Sequence, residues 1–65
     1  MFDIFKLEYV LKSHGITKHE LIEAEGWGSS TYYRKMQADS EWTIGEANVL
    51  IGLGVEITEI IDIFF

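Results

Sequence analysis

Between Thr17 and Met36 the chain specifies two helices with only a three-residue turn between them. Thr17-x-x-Glu20 is a capping box, in which the threonine side chain and the glutamate side chain satisfy each other's free backbone N–H groups. Ile16 stands before it as an apolar staple. Gly26 can take the left-handed conformation that stops a helix, and a second helix opens near Ser29. So tight a link leaves the two helices no freedom to separate, and the rest of the chain must pack around them.

The remaining pattern is also helical, with no strand alternation. Asp3 is placed to cap a first helix. Ile4, Leu7, Val10, Leu11 and His14 recur at the spacing of one buried face, Phe5 and Tyr9 form a second pair beside it, and Gly15 ends the helix. The third helix runs from about Gly28 to Met36, with Tyr32 and Met36 on one side. Residues 37–42 form a polar loop anchored by Trp42. Thr43-x-x-Glu46 is a second capping box, so a fourth helix spans about 44–53, with Ala47, Leu50 and Ile51 in helical register and Gly54 as its stop. A fifth helix takes up near Thr58 and runs to about Phe64. The expectation is one all-α domain over residues 1–65, compact and five-helical.

Sixty-five residues bury only about 60% of their unfolded surface, so the core must be dense. Two Trp, three Tyr and four Phe in a chain that is 48% hydrophobic make that possible. Without Cys there is neither a disulfide nor a thiolate metal site, which fits a reducing cytoplasm. No signal peptide is visible, and no apolar run approaches the roughly 20 residues of a membrane span. His14 and His19 lack further ligands, so no metal and no cofactor is expected. No Ser-His-Asp or Cys-His arrangement is present and a roomy pocket does not fit so small a domain, so an enzyme is not expected.

Helix, short Gly turn and second helix make up the unit that places a recognition helix in the DNA major groove. The chain resembles the Cro and lambda-repressor-like helix-turn-helix family along nearly its whole length. The resemblance rests on Ile16-Thr17-Lys18-x-Glu20-Leu21, Gly26, Ser30-Thr31-Tyr32-x-Arg34, Ala47 and Leu53-Gly54-Val55, and the end, Glu59 to Phe65, looks like small regulators of Gram-positive phages and prophages. It implies that the unit at about 17–36 reads double-stranded operator DNA. Ser29, Ser30, Tyr33 and Arg34 would face the bases, and Lys18 and Lys35 would hold phosphate. Arg34 has the fork geometry that pairs with guanine, and the serines are short, adaptable partners that also read as helix-start caps.

Three features depart from the family pattern. Glu25 stands where an apolar residue is usual, and Ile22 where a small one lets the helices approach. The loop after helix 3 carries Asp39 and Glu41 in place of basic residues. With five basic and eleven acidic residues the formal charge is −6, which opposes nonspecific DNA binding, since each phosphate contact comes from a cation. An acidic protein-interaction module on the same scaffold, an antirepressor or modulator binding a partner repressor, is therefore the alternative. The apolar surplus at the two ends is expected either to close one core or to form a homodimer surface, with Ile61, Phe64 and Phe65 as candidates.

Overall fold

The computed structural model describes residues 1–65 and contains five helices and no strand: α1 (Ile4–Ser13), α2 (Lys18–Glu25), α3 (Ser29–Lys35), α4 (Ile44–Gly52) and α5 (Ile57–Phe64). None of them is long and apolar enough to cross a membrane.

The starts of the helices follow the capping residues. The Asp3 side chain accepts from the Lys6 N–H at 3.0 Å. Both Thr-x-x-Glu boxes are closed in both directions, Thr17 with Glu20 and Thr43 with Glu46. A further box-like contact opens α5, where the Glu56 N–H donates to Glu59 Oε1 at 2.9 Å.

Three of the helices end by the same device. Ile16, Trp27 and Val55 each donate their N–H to a carbonyl five residues back (Leu11, Ile22 and Leu50), while the preceding glycine bonds one turn inward. This is the Schellman closure, and it needs positive φ at the glycine, here 68° at Gly15, 75° at Gly26 and 107° at Gly54. Each closure delivers an apolar residue onto the core: Val55 is buried, and Ile16 and Trp27 pack against its edge.

That core holds Ile4, Leu7, Val10 and Leu11 of α1, Leu21 of α2, Leu50 of α4, Val55, and Ile60 and Ile63 of α5. The expected face of α1 is correct except for His14, which is exposed and whose Nε2 lies 2.8 Å from Glu59 Oε1, tying α1 to α5. The chain's start is bonded to the end of α5, with Asp3 N–H donating to the Ile63 carbonyl at 2.7 Å. A second, aromatic cluster closes that end. Phe2 stacks on Phe64 with centroids 5.5 Å apart, Phe64 lies 5.3 Å from Trp42, and Trp42 meets Trp27 edge-on at 5.2 Å.

The apolar surplus therefore divides. Phe2 and Phe64 are half-buried in the aromatic cluster, which removes Phe64 from the expected dimer surface, whereas Ile61 and Phe65 stay exposed, Phe65 at 85%. Met1, Phe5, Tyr9 and Ile57 are exposed with them.

Candidate nucleic-acid interface

The three residues Gly26–Gly28 are all that separates α2 from α3. Gly26 reverses the chain, and Gly28, in extended conformation, is the N-cap of α3 with no side-chain cap hydrogen bond. Ser29 and Ser30 are thus the first residues inside the helix rather than its caps. The Gly28 backbone already has the geometry that a capping serine would supply, and both serines are exposed.

No side chain of α3 is fully buried. Tyr32 and Met36 rest half-buried against the core, as expected from their spacing. Ser29, Ser30, Tyr33 and Arg34 point to solvent, so the four residues assigned to base contact share one open surface. Arg34 takes part in none of the ion pairs of the chain.

Lys18, at the first position of α2, reaches that surface. Its ammonium hydrogen-bonds the Tyr33 hydroxyl and sits 4.3 Å from the centroid of the same ring and 5.3 Å from that of Tyr32. The two tyrosine rings meet edge-to-face at 5.3 Å. A cation over an aromatic face is held electrostatically but keeps part of its hydration, so Lys18 remains available to an anion.

Lys35 does not. The expectation that it holds phosphate is corrected by its environment. Its side chain is only 14% exposed, and its ammonium lies 2.8 Å from Glu46 Oε1 and donates to the Glu41 carbonyl at 2.7 Å. The acidic first turn of α4 draws it inward, away from the outer face. Lys6 is similarly oriented toward a carboxylate, Asp62, at 3.9 Å.

One cation went unnoticed in the sequence. Lys12 and Lys18 both line a shallow groove between α1 and α2, floored by Leu11, Ile16, Leu21 and Tyr32. The two lysines belong to different helices and the turn at Gly15 brings them to one groove, which the acidic Glu8 also lines; nothing local in the sequence marks Lys12 as special.

Of the acidic groups around the unit, Glu20, Glu23 and Glu46 have partners. His19 and Glu23 pair at 2.9 Å on the exposed side of α2. Backbone donation from Thr17 holds the Glu20 carboxyl below the usual carboxylate range. Burial raises Glu46, but hydrogen bonds from Lys35, the Thr43 N–H and the Trp27 indole outweigh it and bring its pKa below the ordinary value. Glu25 behaves in the opposite way. Burial, with repulsion from Glu46 second, pushes it up to about 7 against the pull of Lys35. Asp39 and Glu41 are exposed in the loop beyond α3.

Comparison with protein-family models, with curated proteins and with solved structures finds no match to this chain.

Proposed function

We propose that this chain is a small sequence-specific DNA-binding regulator of transcription, of the phage repressor or Cro type, on a lambda-repressor-like fold. The observation that carries the reading is the open outer face of α3, where Ser29, Ser30, Tyr33 and an unpaired Arg34 stand together beyond a three-residue turn. In this reading α3 enters the major groove. Arg34 pairs with a guanine edge, the serines and Tyr33 make shorter-range contacts, and Lys18 and Lys12 hold the phosphates flanking the groove. Ile61 of α5 and Phe65 just beyond it, with Phe5 on the same surface as Phe65, would be covered in a homodimer. Such a dimer would present two copies of α3 to half-sites about 34 Å apart. The protein would act in the cytoplasm, without cofactor or catalysis.

The test is a salt-series binding assay on the DNA upstream of its own gene. With two phosphate-holding lysines in each protomer (Lys12 and Lys18), four in the homodimer, log K should fall with log salt at a slope of about −3 to −4. Arg34→Ala should weaken binding by about tenfold or more, the value of one bidentate base contact. Equal binding by Arg34→Ala, or no binding at about 50 mM salt, argues against groove reading.

A second reading, an acidic module that binds a partner repressor, draws on one specific feature. Lys35 and Lys6 are directed at carboxylates, so few cations remain free on a chain whose net charge is −6. In that case the same assay finds no DNA affinity, and Arg34→Ala leaves partner binding untouched if the acidic faces carry the contact.

A further inference from the structure

No side chain of α3 is completely buried, and beside the packing of Tyr32 and Met36 its C-terminal end is held by polar contacts that converge on Lys35. The Lys35 ammonium joins Glu46 of α4 and the Glu41 carbonyl of the loop. The Lys35 carbonyl accepts from Ser40 Oγ at 2.6 Å and from the Trp42 indole at 3.0 Å. Glu46 in turn accepts from the Thr43 N–H at 2.8 Å and the Trp27 indole at 3.2 Å. The Trp27 indole, two residues past Glu25, reaches Glu46, so the last turn of α2 ends beside this cluster and carries a second carboxylate. Glu25 Oε2 is buried and has no hydrogen-bond partner. An ionised oxygen in that state loses its hydration and gains no donor, a cost that one bound proton reduces by removing the charge. The charged groups that face Glu25 are Glu46 from α4 and Lys35 from α3.

We propose that Glu25, Lys35 and Glu46 form a proton-linked brace that sets how firmly α3 is held against α2 and α4. With a proton on Glu25, one ammonium and one carboxylate balance and Lys35 stays on Glu46. When the proton leaves, two carboxylates compete for one ammonium, the pair loosens, and the end of α3 that carries Arg34 gains freedom. Burial and the Glu46 charge place this exchange near neutral pH. Glu25 is a positioning residue: it touches no ligand and acts through Lys35. The brace works whatever α3 contacts, so it does not rest on the DNA reading and its test uses no DNA.

Trp27 and Trp42 are the only tryptophans, and both indoles donate into the cluster. Intrinsic fluorescence should therefore titrate with a midpoint within about one unit of pH 7, be lost in Glu25→Gln and persist in Glu23→Gln, an exposed α2 carboxylate. The wild-type protein supplies an independent measurement, the carboxyl carbon-13 shift of Glu25. A midpoint near 7 supports the brace, and one below about 5 overturns it, whether or not the variant folds. Amide hydrogen exchange at residues 32–36, relative to residues 7–11, should lose protection on the order of tenfold between pH 6 and pH 8 beyond the intrinsic chemical effect. Equal change in both segments overturns the link to α3.

Discussion

The Lys35 ammonium lies 2.8 Å from Glu46 Oε1, and the side chains are only 14% and 18% exposed. Lys35 is next in sequence to the exposed Arg34, yet it spends its charge inside the fold. A mostly buried pair contributes little net, but removing one partner leaves the other uncompensated. Lys35→Ala should destabilise the domain by about 2–3 kcal/mol, since the mostly buried Glu46 carboxylate would lose its cation. Lys12→Ala, at an exposed position, should cost less than about 0.5 kcal/mol. Urea unfolding of the two variants checks the difference, and equal costs would mean that Lys35 has no structural role.

The turn at Gly26 gives a cleaner backbone prediction. Its φ is 75°, and a Cβ there would meet nothing within 4 Å, so substitution costs only left-handed strain. Gly26→Ala should lose about 1–2 kcal/mol. Gly52 is helical, has the same open space and lacks positive φ. Gly52→Ala should be neutral or stabilising by up to about 1 kcal/mol. Thermal melts of the pair test whether the α2–α3 turn depends on this conformation.

How much of this was legible in the sequence depends on the range of the signal. The capping boxes at Thr17 and Thr43, the stops at Gly15, Gly26 and Gly54, and the aliphatic face of α1 are local, and the structure reproduces them. What failed was orientation. Arg34 and Lys35 look alike as neighbouring cations, and only the docking of the α4 first turn sends one inward. Phe64 and Phe65 differ by one helical step, and Phe2 and Trp42, distant in sequence, decide which is covered. Ser29 and Ser30 have the chemistry of caps, but Gly28 occupies the cap position. Glu25 is legible only as one more helical carboxylate, whereas its electrostatic tie to Glu46 and Lys35 exists only across three packed helices.

The division between the two phenylalanines is itself testable. Phe64 stacks on Phe2 and meets Trp42 at a tilt, so Phe64→Ala should cost about 2–3 kcal/mol, somewhat under the range for a fully buried aromatic. Phe65→Ala should leave the stability of the monomer within about 0.5 kcal/mol. If the exposed α5 residues form a homodimer, Phe65→Ala should shift the sedimentation equilibrium toward monomer. A wild-type protein that stays monomeric at high concentration removes the dimer from the proposal.

Stability should peak on the acid side of neutrality. The folded-state pKa of Glu25 is raised from 4.5 to about 7 by burial and by Glu46, so the folded chain binds more protons than the unfolded one across that window. Its contribution is therefore fully favourable below about 4.5 and is lost as pH rises through 7. Glu20 and Glu59 oppose this at lower pH. Backbone donation from Thr17 and Glu56 lowers both, so what they contribute is present above the ordinary carboxylate value and is lost as pH falls through their depressed ones. The urea midpoint should be higher at pH 5 than at pH 8, with roughly 1–2 kcal/mol of the difference due to Glu25 once solvent screening of a half-buried carboxyl is allowed for. General self-repulsion of an acidic chain also eases as pH falls, so the decisive comparison is Glu25→Gln. That variant should gain stability over wild type at pH 8 and show little difference at pH 5, because the wild-type carboxyl is already protonated there. A gain of equal size at both pH values would attribute the effect to packing rather than to the proton.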